Sequence, residues 1–230
     1  MGTGRGADTD ADADANADEG ANPNPDGRIR LATPADAASI RSIYTPFVES
    51  TPITFEETPP TEAETAERIE STLETYPWLV CERDGEVVGY AKAGSLRSMP
   101  AYRWVVELSV YVADDARRSG VATGLYTSLL EILERQGYQG AYAASTVPNP
   151  ESARFHERMG FERIGVFPDA GYMLEEWHDV QWWHRPIGDE ELASEPDPPT
   201  PLPDARGGAN WNWERALTAG EECLAFDLET

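Results

Sequence analysis

The densest chemistry in the chain lies in one stretch, Arg117-Arg118-Ser119-Gly120-Val121-Ala122-Thr123. Small residues at 119, 120, 122 and 124 let backbone N–H groups come close to a ligand. The residues that follow read as a helix, whose N-terminus offers the positive end of its dipole. Backbone donors at a helix start form a cradle for a diphosphate. Two adjacent arginines stand at this start, where cations are disfavoured, and an anion would account for them. The stretch is neither a Walker loop nor a dinucleotide fingerprint, since G-K-[ST] and G-x-G-x-x-G are both absent. Alone, it also reads as a plain glycine turn before a helix.

Just upstream, residues 103–112 divide by parity. Trp104, Val106, Leu108, Val110 and Val112 make an apolar core face, and Arg103, Val105, Glu107, Ser109 and Tyr111 make the other. Glu107 is a mid-strand carboxylate turned from the core side, where it could point into a cleft. From the residues alone, an exposed strand glutamate is the plainer alternative. His156 falls on a short predicted helix, where structure and chemistry compete equally for it. His178 and His184 lie in a Trp-rich closing strand and read as structural. Three histidines in these contexts give no zinc spacing. Cys81 and Cys223 form neither a C-x-x-C pair nor a disulfide framework, so no metal is expected.

The elements that must position these groups alternate between strand and helix. Ile29 to Ala32 reads as a strand, and Thr33-Pro34 opens a helix with Ile40, Ile43, Tyr44 and Phe47 on its apolar face. Thr61 to Glu64 is a capping box for a second helix. Trp78 to Glu82 and Glu86 to Ala93 flank the hairpin signal Asp84-Gly85. Trp104 to Val112 is a long strand, Val121 to Gln136 a helix closed by Gly137, and Ala141 to Ser145 a strand. Pro150 to Arg158 is a short helix closed by Gly160. Phe161 to Val166 and Tyr172 to Arg185 read as the last strands. The expected class is α/β with a mixed sheet flanked by helices.

Composition sets the context. The 230 residues hold 42 acids against 18 bases, a net charge of −24. Such a field disfavours nucleic acid and anionic membrane surfaces as partners. Of the bases, 17 are arginine, and Lys92 is the single lysine. Acid-rich, lysine-poor surfaces suit concentrated salt, so a halophile with a salt-accumulating cytoplasm is expected. The N-terminus lacks a signal-peptide pattern and no apolar run approaches membrane-spanning length, which points to a soluble cytoplasmic protein. Residues 1–27, rich in Asp and Ala, read as a disordered acidic tail. Residues 28–187 read as one domain. Residues 188–230 read as an acidic, Pro-rich tail with room for a short docking helix within 215–226.

Arg117-x-x-Gly120-x-Ala122, between a strand and a helix, resembles the acetyl-CoA signature of the GNAT superfamily of N-acetyltransferases. Asn149-x-x-Ser152-x-x-x-His156-x-x-x-Gly160-Phe161 is similar to a later segment of that family. Thr54-Phe55-Glu56, Tyr76 to Val80, Ala101 to Trp104, Glu107-x-Ser109 to Val112 and Trp177 to Val180 resemble its phosphinothricin acetyltransferase branch. The likeness covers about 29–187.

The resemblance implies a GNAT fold and acetyl transfer from acetyl-CoA to a small amino-acid-like amine. It implies Glu107 as general base and His156 as a second functional residue. It places the acyl donor on Val110, Tyr111, Val112, Arg117, Arg118, Ser119, Gly120, Val121, Ala122, Thr123, Asn149 and Ser152. It places the amine near Phe55, Arg97, Tyr102, Arg103 and Tyr111, and leaves room for a homodimer. Arg97 is the single base in Leu96 to Pro100, where relatives often carry more, and Met173 replaces a lysine. A methionine sulfoximine or sulfone therefore suits the chain as well as phosphinothricin. Two other readings are a protein or peptide N-acetyltransferase and a non-catalytic acyl-CoA-binding module. The aromatic-rich segment 99–111 weighs against the first; Glu107 and the intact loop weigh against the second.

Overall fold

The computed structural model describes residues 27–188, 196–208 and 212–226. The expected disordered segment 1–27 lies outside them apart from Gly27. The strands are β1 (Arg28–Leu31), β2 (Trp78–Arg83), β3 (Glu86–Ser95), β4 (Val105–Val112), β5 (Gly140–Val147), β6 (Glu162–Met173) and β7 (Glu176–Pro186). The helices are α1 (Ala37–Ser50), α2 (Glu62–Leu73), α3 (Val121–Gln136), α4 (Pro150–Arg158), α5 (Leu202–Gly207) and α6 (Trp213–Thr218). The strands form one mixed sheet in the order β1-β2-β3-β4-β5-β7-β6. Among the described residues, only β4 and β5 pair in parallel.

Local chemistry fixes the element ends. Thr61 and Glu64 close a reciprocal capping box at α2. Asp84 and Gly85 both take positive φ, as a tight two-residue hairpin turn requires. Gly120 and Gly137, both left-handed, bound α3 at its two ends. The period-two pattern then sorts side chains between two cores. Trp78, Val80 and Tyr90 join Ile40, Ile43 and Ile69 under α1 and α2. Leu79, Cys81, Val106 and Leu108 join Leu125, Leu129 and Leu133 of α3 on the opposite face.

One strand boundary differs from the sequence reading. Tyr172 and Met173 end β6 instead of opening the last strand, because Leu174 and Glu175 make the hairpin turn with φ of 53° and 67°. Leu-Glu carries no turn signature, so composition gave no sign of it. Residues 196–208 and 212–226 lie along α3, the first stretch at its C-terminal end and the last residues at its N-terminal end. Thr200 N–H donates to the Gln136 carbonyl, α6 packs along the helix, and Gly220 N–H donates to Ser128 Oγ.

Candidate active site

The site arises where β4 and β5 part. They pair only from Val105 to Glu107 against Gly140 to Tyr142. Beyond Glu107 the strands splay, leaving one backbone edge of β4 open along a cleft of about 1380 Å³. Glu107 stands at the apex of this wedge. Its β3 neighbour is Gly94, whose missing side chain leaves open space beside the carboxylate.

Register brings a second charged group to the same face. Lys92 pairs with Ser109 on one side and Trp78 on the other, so it lies diagonal to Glu107 across the β3–β4 pair. Its ammonium sits 4.6 Å from the Trp78 ring centroid. It makes no ion pair with any described residue. Lys92 borders a side chamber of about 250 Å³ that shares Thr54, Ser109 and Tyr111 with the main cleft. There Tyr44 Oη lies 2.7 Å from Thr54 Oγ1 and donates to Glu56, whose carboxylate also accepts from Arg68 at 2.8 Å. Burial lowers the Lys92 pKa, and the nearby Arg68 charge pushes it the same way. Burial raises the Glu107 pKa, against the opposing pull of Arg97 and Lys92. A carboxylate moved upward in this way accepts a proton more readily near neutrality.

The cradle lies at the open end. Arg118 and Gly120 both take positive φ, at 65° and 82°, which turns the loop sharply into α3. No side chain caps the helix start, and its first backbone bond runs from Gly124 N–H to the Gly120 carbonyl. The N–H groups of Val121, Ala122 and Thr123 therefore lack intrahelical acceptors, and all three residues line the cleft. Donors of this kind suit a diphosphate. Arg117 is held by Asp114 at 2.8 Å and by the Phe47 ring.

On the far wall, Asn149 accepts the Ser152 N–H and so starts α4. His156 is 6% exposed and stacks on Trp183 at 5.4 Å. Its Nδ1–H donates to the Ser152 carbonyl at 2.9 Å. Burial drives the imidazole down to about 4, outweighing that hydrogen bond, so the ring is neutral at pH 7. With the proton on Nδ1, Nε2 is an acceptor, and it is buried without a partner.

The cleft gathers Glu107, Val110, Tyr111, Val112, Arg117, Arg118, Gly120, Val121, Ala122, Thr123, Asn149, Ser152, His156 and Phe55. Ser119 lies behind the loop, its hydroxyl donating to the Ala116 carbonyl. Arg97 stacks on Trp182, a residue of the cleft wall, at 5.5 Å. Tyr102 and Arg103 are not brought to the cleft: both are exposed, and Arg103 stacks on Trp104 and bonds to the Pro100 carbonyl. Sequence reasoning did not single out Lys92 as a neighbour of Glu107 at this site. Its signal was that one lysine survives in a chain that otherwise uses arginine. Among the described residues, no cluster of His, Cys, Asp and Glu is arranged to hold a metal, and no helix is long and apolar enough to cross a membrane.

Comparison with known proteins gives a consistent answer. The acetyltransferase (GNAT) domain family matches residues 29–182. A phosphinothricin N-acetyltransferase of Streptomyces viridochromogenes is 39% identical over 174 residues, covering 76% of this chain and 93% of the relative. An L-methionine sulfoximine/L-methionine sulfone acetyltransferase of Pseudomonas aeruginosa is 36% identical, covering 66% of this chain and 90% of the relative. Among solved structures, a phosphinothricin acetyltransferase from Sinorhizobium meliloti in complex with AcCoA superposes with a TM-score of 0.71 at 35% identity, covering 74% of this chain and 93% of that one. The chain therefore belongs to the GNAT acetyltransferase family.

Proposed function

We propose that the protein transfers the acetyl group of acetyl-CoA to the primary amine of a small amino-acid-like acceptor of the phosphinothricin or methionine sulfoximine type. The observation that carries this reading is the meeting of three parts in one cleft: an anion cradle, a splayed strand edge and a half-buried carboxylate at its apex. The cradle residues hold the diphosphate. The open backbone of β4 at Val110 to Val112 supplies hydrogen-bond donors for the pantetheine arm and for the oxygen that gains charge as the amine adds. Glu107 takes the ammonium proton, directly or through water. The amine nitrogen bonds to the acetyl carbon and gives up its second proton, the carbon–sulfur bond breaks, and the CoA sulfur leaves as a thiolate that takes up that proton, directly or through water.

Lys92, in the side chamber next to Glu107, receives the acceptor's carboxylate as a charge-assisted pair. Neutral His156 holds the wall of the cleft and offers Nε2 as an acceptor, which suits orienting a donor better than protonating the thiolate. The charge of −24 with a single lysine supports work in the concentrated salt of a halophile's cytoplasm. Thiol release from acetyl-CoA over a panel of free amino acids, analogues and amines without a carboxylate tests the reading. Turnover confined to peptides, or acetyl-CoA binding with no turnover on any acceptor, overturns it.

A further inference from the structure

We infer that residues 219–226 form an intramolecular strap that holds the diphosphate loop in its ligand-ready shape, so that the chain's own C-terminal segment sets its affinity for acetyl-CoA. The inference rests on the acetyl-CoA reading of that loop. The segment lies beyond residue 182, where the family match ends.

Three contacts carry it. Ala225 N–H donates to the Ser119 carbonyl at 2.9 Å. Ser119 C=O and Gly120 N–H belong to one planar trans peptide, so they point in opposite directions. With the carbonyl held by the strap, the Gly120 N–H is turned toward the cleft that Gly120 lines. A carbonyl that accepts a hydrogen bond also polarises the N–H of its own peptide, making it a stronger donor to phosphate. Second, the Cys223 carbonyl lies directly against Gly120, where any Cβ would overlap it. Gly120 is therefore glycine for two reasons, its φ of 82° and the strap behind it. Third, Gly220 lies against the Gly124 backbone in the first turn of α3, and its N–H donates to the buried Ser128 hydroxyl at 3.0 Å.

The strap is anchored independently of the loop. Glu221 accepts the Ile29 N–H at 2.8 Å. Leu224 joins the α3 core, and Phe226 covers Gly27 with Arg83 over its ring. None of residues 219–226 lines the cleft. The segment therefore acts from behind the loop and leaves the acceptor side untouched.

The test is Gly220→Ala in the full chain. Gly220 has a φ of −90°, which alanine adopts freely, so the only new effect is overlap of the methyl with the Gly124 backbone. The variant is expected to raise both the Kd and the KM for acetyl-CoA tenfold or more. Its kcat at saturating acetyl-CoA and its acceptor KM stay within twofold of wild type. Hydrogen exchange at the Ala225 amide, which the Ser119 carbonyl protects in the wild type, should speed up, which confirms that the strap has left. A freed strap with unchanged acetyl-CoA affinity overturns the inference. Linkage supplies a second test on the unmodified protein: if the strap favours acetyl-CoA, acetyl-CoA must favour the strap. Hydrogen exchange at the Ala225 amide should slow on saturation with acetyl-CoA, and an unchanged rate overturns the inference even where the variant does not fold. Wild-type protein that binds no acetyl-CoA refutes the loop reading itself, a different result from either of these.

Discussion

Replacing Glu107 with glutamine keeps the side chain's size at the apex of the wedge and removes only its capacity to take a proton. Gly94 leaves open space beside it, so the amide fits without repacking. An alkyl amine with a pKa of about 10.4 is neutral in roughly one molecule per 10³ at pH 7. The role proposed for Glu107 is to remove the proton of the abundant ammonium form, so that the wild type works on that form. Glu107→Gln must wait for the rare free amine. Its turnover at pH 7 should therefore fall by about 10² to 10³, within the usual range for a positioned base. The deficit should shrink about tenfold per pH unit toward pH 10. Acetyl-CoA affinity should not change, because the cradle lies at the other end of the cleft. The assay is thiol release against pH at saturating acetyl-CoA, corrected for spontaneous thioester hydrolysis. The wild type's acid limb should follow Glu107, above the ordinary carboxylate range because burial raises it. A glutamine variant at wild-type rate, or a deficit constant from pH 7 to pH 9.5, refutes the base assignment.

Lys92→Met should raise the KM of carboxylate-bearing acceptors tenfold or more, in line with about 1.5–3 kcal/mol for a charge-assisted hydrogen bond, and leave amines without a carboxylate within twofold. Equal effects on both classes would remove Lys92 from recognition. His156 adds acid lability. A histidine held near 4 when folded and 6.5 when unfolded contributes stability above pH 6.5 that is lost as pH falls toward 4, about 2 kcal/mol of it between pH 7 and 5. Denaturant melts of His156→Phe should show that part of the loss removed, and an unchanged pH slope would show the ring to be solvated. Molar KCl, which shortens screening to about 3 Å, should raise the melting temperature of a chain of net charge −24. Greater stability in dilute buffer would count against the high-salt reading.

Much of this arrangement was legible in residue order. Parity along Val105–Val112 put Glu107, Ser109 and Tyr111 on one face, and the small residues after Arg118 announced a loop that enters a helix. These are local patterns that one strand or one turn can encode. The missed features depend on pairing between distant segments. Lys92 becomes significant only when register sets it beside Ser109, two residues from Glu107. Tyr102 and Arg103 lie next to a strand whose open edge begins only after Glu107, so proximity in sequence did not place them in the cleft. The six-residue helix α5 is too short to show a periodic face, and α6, at Trp213–Thr218, starts ahead of the short helix expected within 215–226. The sign of their partner was in α3, where Gly124, Ser128 and Gln136 are buried together with the apolar residues and leave little of the helix for solvent. The turn at Leu174-Glu175 was illegible for the opposite reason, since two residues with no turn preference are forced into it by the pairing of β6 with β7.

The central claim is tested most directly by incubating the protein with acetyl-CoA labelled in its acetyl group and a free amino-acid analogue, such as methionine sulfoximine, and identifying the product. The expected result is one equivalent of N-acetylated analogue per free thiol released, abolished by blocking the acceptor amine. Thiol release without an N-acetyl product, or label on protein amines alone, would contradict it.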